Sequence, residues 1–301
     1  MLDLTPLTPE HIPLLQQYLK AYPRQSCDYA ICNLMTWGKI YGNSFTIWKE
    51  HLVIINPKYD YVMYPVGPGL SAKELRELVD IYRQEHPHTQ LVLIPEDWKI
   101  KTPDITKYFQ LREDRDWADY VYSIENLVKL SGKKLAKKKN LVSQFMRTYP
   151  EYQVMPITSD KKEVILRFTE KWRRERNMEG IYLNAEFQAI KNTMELWDQI
   201  PVEGIIICYK NRISAFSIFS EQTIDMVTEH FEKFDPEMKG SAQMINWETA
   251  KYLQNRYIWL NREQDMGLKG LRQAKSSYMP AYLIKFIFGK PLDSKRLSTL
   301  N

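Results

Sequence analysis

The chain has 301 residues, of which 44% are hydrophobic and 13% aromatic, so it can bury a core and is not intrinsically disordered. No stretch approaches the ~18 uninterrupted apolar residues of a membrane-spanning helix, and the first residues lack the features of a signal peptide. The sequence therefore predicts a cytoplasmic protein. A formal net charge of +5 permits an anionic partner without requiring one.

The predicted elements of the first half alternate between helices and β-rich runs. A helix over residues 8–22 starts with a threonine cap followed by proline. A helix over residues 71–87 starts with a capping box formed by Ser71 and Glu74. Strands are predicted over residues 45–56 (a hairpin), 61–67, 89–95 and 117–124.

The second half repeats this order more clearly. Helices are predicted over residues 159–176, 184–200, 239–256 and 268–278, and strands over 203–220 (a hairpin), 223–234, 257–264 and 281–289. After two leading helices the order is β-β-β-α-β-α-β, which predicts a mixed α/β sheet with helices packed on it. We predict two domains, residues 1–125 and 126–301, each with its own mixed sheet and with a cleft between the two sheets.

Cysteine and histidine usage gives no sign of a metal or redox site. Cys27 and Cys32 are five residues apart, which suits neither a zinc knuckle nor a CxxC pair, and Cys208 is distant from both. The five histidines are scattered. We predict reduced, mostly structural thiols, no metal site and no required cofactor.

Residues 130–145, LSGKKLAKKKNLVSQF, concentrate positive charge, and we predict a helix capped by Ser131. The helix dipole disfavours cations in a first turn by up to ~1 kcal/mol each, so Lys133 and Lys134 would be there at a cost. Repeated violation of a local rule points to a ligand. A solvated helix face is the alternative. The predicted polyanion-binding residues are Lys133, Lys134, Lys137, Lys138 and Lys139. Residues 171–176, KWRRER, are a weaker candidate, since cations stabilise a helix C-terminus.

A turn between a strand and a helix is the predicted phosphate site. Glycine lets a ligand approach the backbone closely, and the first N–H groups of a helix attract anions. The turn consists of Lys239, Gly240, Ser241, Ala242 and Gln243. On the preceding strand, Glu229 and His230 should point to opposite faces, so one of them should face the cleft.

Three segments together resemble a known family. LSGKKLAKKKNLVSQF, EHFEKFDPEMKGSAQMINWETA and YIWLNREQDMGLKGLRQAKSSYMPAYL are similar to bacterial proteins related to the C-terminal domain of phosphatidylglycerol lysyltransferase. The resemblance covers nearly the whole chain. It implies tandem acyl-CoA N-acyltransferase (GNAT-like) folds related to the Fem transferases, which take an amino acid from aminoacyl-tRNA.

In that family context the basic segment would face tRNA phosphates, and the cleft would hold the aminoacyl end. This sequence contains no counterpart of the lysyltransferase's membrane-embedded part, so the acceptor stays open. An anionic lipid contacted peripherally is one candidate. The sequence names neither the amino acid nor the oligomeric state.

The last of the three segments carries the candidate catalytic groups. Transfer to an amine requires a base, stabilisation of the tetrahedral oxyanion and an acid for the leaving hydroxyl. The candidates for these roles, in that order, are Glu263 or Asp265, Arg272 or Lys275, and Tyr278. Lys275 shares its predicted helix face with Leu268 and Leu271, which would aim it into the cleft. The alternative is an ion-paired turn with a structural role.

Three functions fit the sequence. The first is an aminoacyltransferase that uses aminoacyl-tRNA, and it explains the basic segment. The second is an acyl-CoA-dependent N-acyltransferase acting on a small amine, which needs only the phosphate turn. The third is a non-catalytic module that binds tRNA or another polyanion, which would tolerate loss of the acid and base groups.

Overall fold

The computed structural model describes residues 2–175 and 181–293, and a single sheet extends through both halves of the chain. The helices are α1 Ile12–Ala21, α2 Ile31–Tyr41, α3 Ala72–Arg83, α4 Glu96–Lys101, α5 Ile124–Lys129, α6 Ala136–Thr148, α7 Lys162–Glu175, α8 Ile181–Glu195, α9 Ser241–Leu253 and α10 Lys269–Ser276. The strands are β1 Thr5–Pro6, β2 Ser44–Trp48, β3 His51–Asn56, β4 Tyr61–Met63, β5 Gln90–Val92, β6 Phe109–Ser123, β7 Gln153–Pro156, β8 Glu203–Tyr209, β9 Arg212–Thr223, β10 Met226–Phe234, β11 Trp259–Asn261 and β12 Tyr282–Pro291.

The sheet has the strand order β1-β2-β3-β4-β5-β12-β6-β11-β10-β9-β8-β7, and its two halves mirror each other. From each outer edge, four antiparallel strands are followed by one parallel neighbour, β5 beside β4 and β11 beside β10. An antiparallel strand then completes each half. The mixed α/β class predicted from the sequence is confirmed.

The strand that completes each half comes from the other half of the chain. β12 lies beside β5, while β6 lies beside β11. β6 and β12 also pair with each other at the centre, from Phe109 opposite Pro291 to Val121 opposite Tyr282. The prediction of two separate sheets packed across a cleft is therefore wrong. The division at residue 125 stays a prediction.

Helices cover both halves of this sheet. α3 packs on the first half, and its capping box is confirmed, with the Ser71 hydroxyl accepting from the Glu74 N–H at 3.2 Å. α2 packs on α8, where Asn192 Nδ2 donates to the carbonyl of Thr36 at 3.0 Å. Within the described residues, the structure contains no helix with the length and apolarity needed to cross a bilayer.

The parallel pair β10–β11 opens into a fork. The two strands pair only from Met226–Thr228 to Trp259–Asn261. Beyond that point β10 continues to Phe234, while the segment after β11 stays bonded to Tyr120 of β6 through Arg262 and Glu263 and then leads to α10. Because polar residues follow directly on both chains, the fork brings the candidate chemistry together.

Candidate active site

Both acidic and histidine candidates on β10 are engaged at the fork, although we expected only one to face it. Glu229 accepts from Arg262 Nε at 2.6 Å, and His230 Nδ1 lies 3.0 Å from Glu263 Oε1. The register of β10 against β9 shifts between Glu229 and Phe231, which is a β-bulge. Bulges re-aim side chains at functional sites, so each of the two residues meets a different member of the Arg262–Glu263 pair.

One side of the fork is a buried ion network around Arg262. Its guanidinium binds Glu229 and also Glu232, at 2.8 Å, and it lies against the rings of Tyr122 and Tyr278. Burial, aided by the Glu229 charge, raises the pKa of Glu232 to about 7. Burial alone would lower the pKa of Arg262, but the two carboxylates raise it, so this guanidinium stays charged.

Tyr278, a predicted catalytic residue, contacts one residue of the basic segment and one residue of the predicted phosphate turn. Lys138 Nζ lies 4.3 Å from the centre of its ring, and the Gln243 side chain bonds its hydroxyl. Burial raises the pKa of Tyr278, and Glu232 adds to this rise. Burial lowers the pKa of Lys138, as do Arg262 and Lys137. One lysine of the basic segment therefore points into the site.

The other four lysines of the basic segment are exposed: Lys133, Lys134, Lys137 and Lys139. The predicted helix start is wrong. α6 begins at Ala136 with the buried Leu135 at its N-cap, and Ser131 does not cap it. Leu130 and Gly132 have left-handed backbones, with φ of 44° and 87°, which prevent an earlier start. The dipole argument thus applies to the three lysines after Ala136 and not to the two before it.

The predicted phosphate turn is covered. A Cβ on Gly240, whose φ is +91°, would lie 2.6 Å from the Leu141 carbonyl oxygen of α6. The Ser241 N–H donates to Met238 at 3.0 Å, and the Gln243 N–H donates to Gly240 at 3.1 Å. The prediction that these amides face an open anion cavity is wrong, because α6 packs over the start of α9. Lys239 is exposed beside the turn, and Ala242 is half-buried.

The corresponding turn of the first half is also unsuited to an anion. It precedes α3, where the Glu74 carboxylate accepts from the Ser71 N–H at 3.0 Å. A phosphate there would meet a carboxylate at the helix start. In both turns some of the amides that the acyl-CoA hypothesis requires are therefore already bonded, those of Ser241 and Gln243 in one and those of Ser71 and Glu74 in the other.

Asp265 and Arg272 form the ion-paired turn that was the alternative for this segment. Asp265 is fully buried and accepts from Arg272 at 2.8 Å, from the Tyr120 hydroxyl and from the Gly267 N–H. Although burial would raise its pKa, these bonds hold the pKa well below the usual range. A carboxylate so stabilised is a poor base. Arg272 also binds Asp116.

Lys275 is turned towards the fork. Its Nζ donates to the carbonyl of Arg262 at 2.7 Å and to that of Gln264. Burial lowers its pKa to about 8, although the negative charge of Glu263 opposes this. The reason given from the sequence is wrong, however, because Leu268 is 47% exposed and forms no buried face with Lys275.

Residues that the sequence did not single out complete the site from the first half and from β9. Asn33 of α2 donates to Glu263 Oε1 at 2.8 Å, and Ser220 Oγ lies 2.8 Å from His230 Nε2. A lone asparagine in a helix and a lone serine in a strand carry no sequence signal. Only the fold reveals their positions beside the other groups.

A second cluster lies beside Glu263, with Cys27 and Asp119 buried and Asp28 half-buried. The ligand atoms of Cys27, Asp28 and Asp119 are within 4.8 Å of one another, a set that could hold a divalent metal. Asp119 nevertheless accepts from the Cys27 N–H at 2.7 Å and from Asn261 at 2.8 Å. Burial raises the pKa of Asp119 to about 6 and that of Asp28 to about 7. These oxygens already have protein partners, and the absence of a metal stays a prediction.

The weaker basic candidate lies at the end of α7. Arg173 donates to Asn184 at 2.8 Å, and Arg174 pairs with Glu170. Arg176 lies outside the described residues. The two described arginines are thus engaged with neighbouring helix side chains.

Sequence comparison identifies the family. Residues 19–288 match the model described as phosphatidylglycerol lysyltransferase, C-terminal. The chain belongs to this family. The resemblance inferred from the three segments is confirmed. A search of curated proteins found no match to this member of the lysyltransferase C-terminal family.

Solved structures similar to this family member share its fold. A conserved protein of unknown function from Bacteroides thetaiotaomicron is 28% identical, with a TM-score of 0.89 over 97% of this chain and 100% of that one. The C-terminal domain (DUF2156) of a protein named as a lysylphosphatidylglycerol synthetase, from Agrobacterium fabrum, is 11% identical, with a TM-score of 0.65 over 97% and 95%. FemX is 9% identical, with a TM-score of 0.64 over 99% of each chain. The predicted acyltransferase-like fold is confirmed.

Proposed function

We propose that this protein transfers an aminoacyl group from aminoacyl-tRNA to an amine or hydroxyl acceptor at the fork. The family and the fold shared with FemX support an aminoacyltransferase. The observation that carries the proposal is the position of α6. This helix covers the turn that would bind a coenzyme pyrophosphate, directs Lys138 into the site and carries other lysines on its exposed side.

This position weakens the acyl-CoA alternative. Coenzyme binding at such a turn depends on free backbone N–H groups at a helix start. The Ser241 and Gln243 amides are already bonded within the turn, and Leu141 lies against Gly240. A macromolecular donor can instead place its phosphates on the outside of α6 and extend only its ester into the fork.

The fork supplies the groups that the reaction needs. The pair His230–Glu263 can accept the proton of the acceptor. The Lys275 ammonium has three N–H bonds, of which two go to carbonyls, so the third can stabilise an oxyanion. Tyr278, held between Lys138 and Arg262, lines the wall next to these groups. A module that only binds polyanions would not need such buried charges, since their desolvation is costly.

The acceptor and location remain part of the proposal. The exposed lysines of the basic segment would attract tRNA, and they would equally attract an anionic lipid surface at the periphery of a membrane. We therefore propose a cytoplasmic protein that takes charged tRNA as donor, with a lipid or another amine or hydroxyl compound as acceptor.

A parallel assay tests this proposal. The protein is incubated with tRNA charged with a mixture of radiolabelled amino acids, with uncharged tRNA or with acetyl-CoA, each with and without anionic lipid vesicles and small amines. We expect loss of the aminoacyl group from charged tRNA only. Lys275→Met should abolish this loss, whereas Lys269→Met, an exposed lysine on the same helix, should not. Turnover of acetyl-CoA without any reaction of charged tRNA would overturn the proposal.

A further inference from the structure

A row of aromatic rings lies on the surface of the first half and contributes no residue to the fork. Trp37 and Tyr41 stack on each other along α2, with ring centres 6.1 Å apart. Tyr41 lies 5.6 Å from Tyr59, in the turn between β3 and β4, and Tyr59 lies 6.0 Å from Tyr61 of β4. Tyr59 is 49% exposed, and the other three rings are half-buried. Single exposed apolar side chains are common, but a connected series is typical of a binding surface.

A lysine lies across this row without an anionic partner. Lys58 Nζ is 5.4 Å from the centre of the Tyr41 ring and 5.7 Å from that of Tyr59. Two other exposed lysines of the same half, Lys39 and Lys49, are ion-paired. Among the residues that the structure describes, no carboxylate lies within ion-pair distance of Lys58. The row therefore combines accessible π-faces with a positive charge that a ligand can still neutralise.

A second group of rings lies on the same side of the sheet. Trp117 of β6 is 38% exposed and lies 6.4 Å from Phe286, which lies 6.5 Å from Phe288. Arg112 lies 5.6 Å from the centre of the Phe288 ring, and in the described part of the chain it too has no carboxylate partner. Tyr61, Phe286 and Phe288 pack on the same core cluster, which places both groups on one face of the first half.

Rings combined with unpaired cations fit an unpaired nucleic-acid strand. Every base has a π-face that can stack on an aromatic side chain, and the phosphates between the bases attract cations. A neutral carbohydrate or a hydrocarbon chain would leave Lys58 and Arg112 unpaired, and a duplex keeps its bases stacked inside. Asp114 lies opposite Phe286 in the central ladder. It would repel a phosphate, but a carboxylate can accept from the amino group of a base.

The turn that carries Lys58 and Tyr59 is held in place by its own hydrogen bonds. The Asn56 side chain accepts from the Tyr59 N–H at 3.3 Å. Asp60 has a left-handed backbone, with φ of 54°, and its carbonyl accepts from the Gln90 N–H at 3.0 Å. A ring held in this way loses little freedom when a base stacks on it, so ordering of the protein offsets less of the stacking energy.

We propose that this face of the first half binds an unpaired nucleic-acid strand, with bases stacked on the rings and phosphates at Lys58 and Arg112. The contact is separate from the basic segment, which belongs to the second half and has no exposed aromatic ring. It requires no step at the fork and goes beyond aminoacyl transfer. The basic segment attracts phosphates by charge, whereas the rings bind by stacking, so the two contacts differ in their salt dependence.

Binding of a short RNA tests the proposal with the whole protein. The affinity for oligo(A) of about ten nucleotides, and for an abasic strand of the same length, is measured at several salt concentrations. Tyr59→Ala should weaken oligo(A) binding by ~10-fold without changing the log–log salt slope, because it removes stacking and no charge. Tyr59→Phe keeps the ring and should bind like wild type. So should Tyr252→Ala, an exposed tyrosine of α9 that also has an arginine over its ring.

Lysine variants test the charge on the row. Lys58→Gln should lower the log–log salt slope by ~0.7, the value for one phosphate of a single strand. Lys73→Gln, an exposed lysine of α3, is the matched control and should leave the slope unchanged. The abasic strand should bind wild type more weakly than oligo(A) does, and Tyr59→Ala should reduce this difference.

Photocrosslinking locates the bound strand. An oligonucleotide with iodouridine at one position is irradiated with the protein, and the adduct is mapped by peptide mass spectrometry. We expect adducts on Tyr59 or Tyr41. Adducts confined to residues 130–145 with unchanged affinity of Tyr59→Ala would overturn the proposal, as would equal binding of the abasic strand and oligo(A) to wild type. These outcomes are independent of the transfer assay, which follows the ester of charged tRNA.

Discussion

Lys275 and Lys138 both lie at the site, but they have different partners there. We infer from this difference that they have different roles. Lys275 donates to two backbone carbonyls, whereas Lys138 lies over the ring of Tyr278. Burial lowers the pKa of both. An ammonium bound to carbonyls is fixed in position and is suited to stabilising a negative charge. An ammonium over an aromatic face can change its position when a ligand binds.

The lowered pKa of Lys275 predicts a pH dependence of stability. The pKa is about 8 in the folded protein and about 10.5 in the unfolded chain. Between these values the unfolded chain binds more protons, so the free energy of unfolding rises with pH. Below pH 8 both states are protonated, and the full cost of burying the ammonium remains. Urea denaturation at pH 8 and pH 10 should therefore show wild type gaining stability relative to Lys275→Met. An unchanged difference would contradict the lowered pKa.

Among the secondary-structure elements, α6 determines which ligands can reach the strand-to-helix turn at Gly240. It packs on α9 through the close approach of Leu141 to Gly240. The sequence predicted both α9 and a helix near residue 136, because their patterns are local. It could not predict that one covers the other, since the contact depends on tertiary packing.

α2 was missed for a related reason. Buried residues surround it, among them Cys32, Leu34 and Met35, so it lacks the amphipathic pattern of a surface helix.

Gly240→Ala tests the packing of α6 on α9. The substitution forces a side chain into a left-handed backbone and against the Leu141 carbonyl, so we expect a loss of about 2 kcal/mol or more in the free energy of unfolding. Gly42→Ala is the matched control, because its φ is +70° but nothing lies within 4 Å of the added Cβ. Its loss should be about 1 kcal/mol. Equal losses would show that α6 does not press on this turn.

The lysines of the basic segment should separate into two classes. Replacing the exposed Lys133, Lys134, Lys137 and Lys139 with Gln should flatten the salt dependence of tRNA binding, by ~0.9 in log–log slope for each duplex phosphate that the protein no longer neutralises. Lys138→Met should leave most of that slope and slow transfer instead. Affinity at several salt concentrations and single-turnover rates check both. A slope that falls only in Lys138→Met would reverse the assignment.

For the whole molecule, the exchange of β6 and β12 joins the two halves into one folding unit. β6 has 15 residues, but the sequence predicted a strand only from residue 117, because charged residues such as Arg112, Glu113 and Arg115 resemble a loop. The mixed α/β class and most elements followed from local pattern and capping. The pairing of β12 with β6 did not, since strand order between segments so distant along the chain leaves no local signature. The sequence predicted the site residues that lie together on one segment. It missed Asn33 and Ser220, because only the fold brings them to the site.

A proline in β12 should therefore unfold both halves together. Ile287 is fully buried, lies opposite Glu113 in the central ladder and accepts from the Ile94 N–H at 3.0 Å. A proline at this position fits poorly, because β12 is a central strand with a neighbour on each side. We expect a loss of several kcal/mol with a single unfolding transition, followed by far-UV circular dichroism and tryptophan fluorescence. Ile224→Pro, at an exposed turn, should change little. Two separate transitions would argue for independent halves.

The central position of β12 also has a consequence during synthesis. A ribosome makes the chain from its N-terminal end, yet residues 282–291 fill the gap between β5 and β6. Until β12 emerges, both of these earlier strands present unpaired backbone edges, which readily pair with other chains. The edges of β5 and β6 that pair with β12 thus stay unpaired while the preceding strands are translated. The sheet is complete only when β12 has left the ribosome.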